Sequence, residues 1–74
     1  MQPCEGDACD FVELWNHDSV WFVQNLHLSK SVRVEFDGIW GGTTHSVDLK
    51  PREEQILAFT EFFGNWHASF LKKD

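Results

Sequence analysis

Residues 32–36 alternate strictly between apolar and charged side chains, and no other part of the sequence constrains the fold as strongly. The apolar positions are Val32, Val34 and Phe36, with Arg33 and Glu35 between them. A period of two is that of a β-strand, whose successive side chains point to opposite faces of a sheet. We therefore expect a strand here with one face in a hydrophobic core and the other in water.

Two segments upstream also have the composition of strands. Residues 11–15 and 20–26 are rich in β-branched and aromatic side chains, and the residues between them, 16–19, all favour turns. The pattern predicts a hairpin with a four-residue loop, in which Trp15 faces Val20. One face of this hairpin is then wholly apolar and is predicted to be core; it consists of Val12, Leu14, Trp21 and Val23.

The other face of the predicted hairpin mixes aromatic rings with polar side chains. Phe11, Trp15 and Phe22 fall together there, beside Glu13 and Gln24. Such a face is only half suited to water. The three rings are therefore either a second layer of core, covered by the end of the chain, or an exposed binding surface.

Glycine and proline mark the connections that follow. Residues 37–42 hold three of the chain's five glycines, together with Trp40, and are long enough to form a loop. Residues 43–49 resume a strand with Leu49 inward. Pro51 ends that strand, because proline fixes φ and cannot donate to a sheet ladder.

The last third of the chain fits two structures. Its apolar residues recur at helical spacings of three and four, which favours an amphipathic helix over residues 52–71; they are Ile56, Phe59, Phe63, Trp66 and Phe70. Gly64-Asn65 lies inside that span and costs a helix roughly 1 kcal/mol or more. The same pair suits a two-residue hairpin turn that sets Phe63 opposite Trp66 and Phe59 opposite Phe70. We favour the hairpin.

Short strands separated by turn signals predict the fold class. We expect an all-β fold, a small antiparallel sandwich or barrel of about six strands. The alternative is an α+β fold with four strands plus a C-terminal amphipathic helix. Residues 1–74 make a single domain, with residues 1–10 as an acidic, cysteine-containing N-terminal segment. Seven Phe and four Trp supply the core that so short a chain would otherwise lack.

Three stretches resemble the middle of many bacterial immunoglobulin-like sandwich modules. They are Val23-Gln24-Asn25, Val32-Arg33-Val34-Glu35-Phe36 and Leu49-Lys50-Pro51-Arg52-Glu53-Glu54. In those modules an asparagine ends one strand, an alternating strand follows, and a Leu-x-Pro-x-Glu turn comes later. This chain departs from the pattern at Pro51-Arg52, where Pro-Gly is usual. The resemblance implies a sandwich architecture and no functional site.

The charge of the chain disfavours two classes of partner. The net charge is −6, and the first 29 residues carry five acidic side chains without a Lys or Arg. An acidic chain repels phosphate backbones and anionic membranes, so we expect no nucleic-acid binding. No run approaches the ~18 apolar residues of a membrane span, so we expect no membrane insertion. The five acids, Glu5, Asp7, Asp10, Glu13 and Asp18, are interpreted as a solubilising surface.

Cys4 and Cys9 are the only cysteines, and the four residues between them include Gly6. That spacing closes a small disulfide loop, which we favour over two free thiols and over metal ligation. A disulfide favours an extracytoplasmic setting with a signal peptide removed, and a cytoplasmic setting is the alternative. The N-terminal residues themselves lack the basic and apolar regions of a signal peptide.

Neither a metal site nor a catalytic site is predicted. The four histidines, His17, His27, His45 and His67, show no local ligand spacing and are interpreted as surface residues. The serines lack an elbow sequence such as Gly-x-Ser-x-Gly, and no glycine-rich phosphate loop exists. We therefore expect no enzyme activity and no cofactor.

The aromatic residues carry the leading functional hypothesis. We predict a non-catalytic binding or assembly module that holds a protein partner or a second copy of the chain. The predicted binding residues are Phe11, Trp15, Phe22 and Trp40. Edge protection is sparse, with Lys30, Arg33 and Pro51 as its obvious elements, which leaves a homodimer open.

Two alternatives belong to other functional classes. The first is a small carbohydrate-binding module, with a sugar stacked on Trp15 or Trp40 and its hydroxyls bound by Glu13, Gln24 or Asp37. The second is an acidic inhibitor or nucleic-acid mimic, which requires the five early acids to line one surface.

Overall fold

The computed structural model describes residues 4–39, 43–57 and 65–71, and within these ranges the chain is all-β. The described strands are β1 (Cys4–Glu5), β2 (Val12–His17), β3 (Val20–Asn25), β4 (Val32–Ile39), β5 (Thr43–Leu49), β6 (Glu54–Ile56) and β7 (Trp66–Phe70). A 3-10 turn, Cys9–Phe11, precedes β2. The all-β prediction is confirmed, and the alternative of a helix over 52–71 is wrong where β6 and β7 lie. None of the helices in the described ranges is long and apolar enough to cross a membrane.

The strands form two sheets, as a small sandwich requires. One has the order β1-β7-β4-β5 and the other the order β2-β3-β6. All described pairs are antiparallel except β1 with β7, which is parallel. We refer to them below as the four-stranded and the three-stranded sheet.

The β2–β3 hairpin has a shorter loop than the sequence suggested. Only Asp18 and Ser19 form the turn, both with positive φ, at 52° and 66°. Two left-handed residues in succession belong to the hairpin turn whose twist matches that of the strands. Trp15 consequently pairs with Phe22 and not with Val20 as expected.

The shift in register leaves the predicted faces intact. Leu14 pairs with Val23, two positions from its expected partner, and an even displacement keeps every side chain on its face. Val12, Leu14 and Val23 are buried, and Trp21 packs against the core. The predicted inner face of the hairpin is therefore confirmed.

The four-stranded sheet contributes the other half of the core. Val32, Val34 and Phe36 are fully buried, as their alternation predicts. Phe36 stacks on Trp66 of the neighbouring strand, with ring centroids 6.1 Å apart. The remaining buried apolar residues are Ala8, Leu49, Leu57 and Ala68.

The N-terminal segment covers one edge of β7. Cys4 and Cys9 form a disulfide with their Cα atoms 6.0 Å apart, which confirms the predicted pair. Gly6 has a φ of 118°, and a Cβ there would overlap the carbonyl oxygen of Ala68. Only glycine fits this close approach to β7. Ala8 then donates its N–H to the Ala68 carbonyl at 3.0 Å.

The predicted C-terminal hairpin is wrong for β7, because Trp66 pairs with Phe36 on one edge and with Cys4 on the other. Residues 66–70 form β7, whose neighbours are β4 and β1. The expected partners Phe59 and Phe63, and the Gly64 of the expected turn, lie outside the described residues.

Candidate functional site

The outer face of the three-stranded sheet carries a row of apolar side chains that crosses all three strands. Trp15 on β2 lies opposite Phe22 on β3, and Phe22 lies opposite Ile56 on β6. Their inward neighbours Leu14 and Val23 are buried, so the alternation of the strands turns these three outward. We call Trp15, Phe22 and Ile56 the apolar row.

The aromatic pair in the apolar row is ordered by stacking. The rings of Trp15 and Phe22 are 5.5 Å apart and nearly parallel, with 11° between their planes. Offset stacking of this kind contributes about 0.5–1.5 kcal/mol beyond the area that it buries. Both rings remain partly exposed, and Ile56 at the end of the row is 66% exposed. A preordered apolar surface therefore faces solvent.

A second row on the same face is acidic. Glu13, Gln24 and Glu54 lie opposite one another across the three strands, next to the apolar row. The Gln24 amide donates to the Arg52 carbonyl oxygen at 3.2 Å, whereas both carboxylates are on exposed residues. The apolar row is thus bordered on one side by two negative charges.

Phe11 lies apart from the other predicted binding residues. The expectation that it shares a face with Trp15 and Phe22 is wrong, because the 3-10 turn takes it out of the alternation of β2. Its ring contacts His27 at 4.9 Å and Phe70 at 5.7 Å, at one end of the sandwich. The Lys30 ammonium lies 5.1 Å from the centre of the Phe70 ring.

Trp40, the fourth predicted binding residue, lies outside the described residues. Ile56 was missed at the sequence level. The strand that carries it, β6, is only three residues long, and so short a strand leaves no periodic signal in the sequence. The structure therefore replaces the predicted cluster with a row made of two of its members and one unexpected residue.

Two of the histidines, His27 and His67, have structural contacts. The His27 Nδ1 accepts the backbone N–H groups of Ser29 and Lys30, at 3.1 and 3.0 Å. The His67 imidazole lies 3.1 Å from the Asp37 carboxylate and 3.6 Å from that of Glu5. Within the described ranges, no group of three or more His, Cys, Asp or Glu side chains could hold a metal ion.

Two carboxylates on or beside the sheets have altered pKa values. The hydrogen bonds from Arg33, at 2.8 and 3.2 Å, hold the pKa of Asp48 below its usual value. The pKa of Glu53 is lowered mainly because its carboxylate accepts the Lys50 backbone N–H at 2.8 Å, and secondarily by Gln55. Both carboxylates stabilise a structural contact, and neither borders the apolar row.

The structure has an open depression away from the apolar row. It has a volume of about 800 Å³, lies open at one end of the sandwich, and is lined in part by Lys30, Pro51 and Phe70.

The acidic residues of the first part of the chain do not all lie on one sheet. Glu5 lies on the four-stranded sheet, whereas Glu13 lies on the three-stranded sheet. A nucleic-acid mimic requires one continuous acidic surface, and these two acids do not lie on the same sheet.

Comparison with protein-family models, curated proteins and solved structures found no match to the chain.

Proposed function

We propose that this chain is a non-catalytic protein-binding or assembly module whose binding surface is the outer face of the three-stranded sheet. The observation that carries the proposal is the apolar row, in which Trp15, Phe22 and Ile56 stand in register across three strands. Contiguous exposed apolar side chains on a small chain mark interaction surfaces more often than isolated ones do.

The energetics of the apolar row suit a compact binding site. Burying a side chain such as that of Ile56 contributes roughly 1.5–3 kcal/mol. The stacked Trp15 and Phe22 rings are already ordered, so these two side chains lose little entropy when a partner contacts them. Aromatic anchors at the centre of an interface carry most of its binding energy.

The negative charge beside the apolar row favours a partner with basic residues. Glu13 and Glu54 border the apolar row, and the chain as a whole has a net charge of −6. A partner with apolar side chains flanked by Lys or Arg complements both features. Its association would be accelerated by electrostatic attraction and slowed by salt.

The same contacts weigh against the carbohydrate alternative. A sugar needs an open aromatic face with free polar groups beside it. Phe22 is stacked on Trp15, the Gln24 amide is bonded to Arg52, and Asp37 lies on the other sheet beside His67. These arrangements leave Glu13 as the remaining polar candidate near Trp15.

Selection from a displayed library of random peptides tests the proposal. We expect the wild-type chain to enrich peptides that combine an aromatic or aliphatic residue with neighbouring Lys or Arg. An Ile56→Ser variant should bind the enriched peptides about tenfold more weakly, a loss of ~1.4 kcal/mol. Ile56 is exposed, so this substitution should leave the thermal unfolding temperature nearly unchanged.

Leu28→Ser is the matched control. Leu28 is 77% exposed but lies in the connection between β3 and β4, away from the apolar row. It should bind the peptides as the wild type does. Equal binding by the Ile56→Ser variant, or a loss confined to Leu28→Ser, would contradict the proposal. A glycan array probed with the same three chains tests the carbohydrate alternative in parallel.

A further inference from the structure

Among the described residues, strand β2 is hydrogen-bonded to β3 along one edge, and its other edge is open. It is the outer strand of the three-stranded sheet, and no other described segment pairs with its second edge. The direction of its backbone groups follows from β3. The Trp21 carbonyl oxygen accepts the Leu57 N–H, and the Asn25 N–H donates to the Glu53 carbonyl oxygen. The backbone N–H and C=O groups of the odd-numbered residues of β3 therefore point towards β6.

The backbone N–H and C=O groups of the even-numbered residues of β3 then point towards β2. Their partners on β2 are Glu13, Trp15 and His17. Because the backbone groups of an antiparallel strand alternate in direction, those of Leu14 and Asn16 point to the open edge. These groups are available to another strand.

The open edge lacks two common kinds of protection against pairing, lysine and proline. No lysine or proline interrupts β2, whose sequence is Val-Glu-Leu-Trp-Asn-His. Of the residues that the sequence suggested as protection, Arg33 lies in β4, which is paired on both sides, and Lys30 and Pro51 lie in connections. A regular strand with a free edge readily accepts another strand.

We propose that β2 pairs antiparallel with β2 of a second copy of this chain, about a two-fold axis. Leu14 of each copy then lies opposite Asn16 of the other, which sets Trp15 opposite Trp15 and Glu13 opposite His17 of the second copy. Both cross-strand pairs are favourable, one aromatic and the other between a carboxylate and an imidazole.

The neighbouring registers are worse. A shift in one direction sets Leu14 opposite Leu14 and Glu13 opposite Trp15 of the second copy. A further shift in the same direction sets Glu13 opposite Glu13, which places two like charges together. A shift in the other direction sets Trp15 opposite His17 and leaves Glu13 without a basic partner. The chosen register therefore combines like aromatics and complementary polar groups, which specifies a single dimer.

The dimer joins the two apolar rows end to end. In each copy the row runs from Ile56 through Phe22 to Trp15, and Trp15 ends at the pairing edge. The pairing is argued from the strand edge, so it holds or fails independently of the peptide-binding proposal. If both hold, one continuous surface crosses both three-stranded sheets.

Sedimentation equilibrium tests the dimer. We expect the wild type to dimerise reversibly, and Asn16→Pro to be monomeric, because proline removes an outward N–H without removing a bond to β3. Circular dichroism should show that this variant retains its β-sheet spectrum. A wild type that remains monomeric up to its solubility limit, or a dimer that survives Asn16→Pro, would overturn the proposal.

Charge variants test the register without proline. Glu13→Lys should weaken dimerisation about tenfold, since both copies carry the change. Adding His17→Glu to Glu13→Lys should restore most of the affinity. Glu54→Lys, the same charge change in the same acidic row but on β6, is the control and should change affinity less than about twofold. Equal effects of Glu13→Lys and Glu54→Lys would contradict the register.

Oxidative crosslinking reports the register directly. Trp15→Cys places a cysteine opposite its own copy, where a disulfide can close. Glu13→Cys does not, and serves as the control. We expect a covalent dimer from the Trp15→Cys variant alone, and crosslinking of both variants to the same extent would contradict the pairing.

Discussion

Asn25 is fully buried, and its side-chain amide joins three segments of the chain. The Nδ2 group donates to the carbonyl oxygens of Lys30, Leu49 and Lys50, at 2.8, 3.3 and 3.0 Å. Its Oδ1 accepts the His27 N–H at 2.9 Å. Since β3 belongs to one sheet and Leu49 to the other, this amide fastens the two sheets together at one end of the sandwich.

Removing the Asn25 amide should therefore be costly. Asn25→Ala leaves several backbone groups without their partner, and we expect a loss of about 3 kcal/mol in the free energy of unfolding. Urea denaturation followed by tryptophan fluorescence measures it. Asn16→Ala changes an exposed asparagine and should stay within about 0.5 kcal/mol of the wild type. Equal losses in the two variants would show that Asn25 does not hold the sheets together.

Glu53 makes the stability of the fold depend on pH. Its folded-state pKa is lowered by the Lys50 backbone N–H and by Gln55. The stability that it contributes is therefore fully present above the glutamate pKa of the unfolded chain, and is lost as the pH falls through the lowered folded-state value. Glu53→Gln should lose stability at neutral pH and reduce the difference in urea midpoint between neutral and acidic solution. An unchanged pH dependence in this variant would contradict the assignment.

At the scale of elements, the β2–β3 turn is built from residues that are not the best for it. Asp18 and Ser19 both have positive φ, a conformation that costs most residues about 1 kcal/mol. Ser19→Gly should raise the free energy of unfolding by up to ~1 kcal/mol, visible as a higher urea midpoint. Ser29→Gly is the control, because Ser29 lacks a positive φ and should gain nothing. A gain of the same size in both variants would show that the turn conformation is not the cause.

The elements also show what a sequence can specify. The alternation of residues 32–36 predicts β4 and its buried face, because burial on one side imposes a period of two. The register of β2 with β3 was beyond that argument, since a slip of two residues leaves both faces unchanged. The two-residue turn at Asp18 and Ser19, both with positive φ, goes with the observed register.

Alternation predicts only part of the candidate site. Trp15 and Phe22 were placed correctly on the outer face, because outward position follows from alternation. Phe11 was misplaced by one 3-10 turn, and Ile56 was missed because strand β6 is only three residues long. Short elements carry too few residues for periodicity to identify them.

For the molecule as a whole, the two-sheet architecture follows from composition and turns, but the order of strands does not. The parallel pairing of β1 with β7 joins residues from opposite ends of the described chain. Such contacts leave no local pattern, and β1 is only two residues long. The disulfide between Cys4 and Cys9 and the close approach of Gly6 to Ala68 fix that pairing.

The position of β7 between β1 and β4 has a consequence for the order of folding. During synthesis, the three-stranded sheet and the β4–β5 hairpin are complete before β7 emerges. The four-stranded sheet must then wait for a strand that inserts late between two partners made long before, and closure over so long a loop is slow. Until that moment one edge of β4 is unpaired, which makes the nascent chain more prone to aggregation than the finished protein.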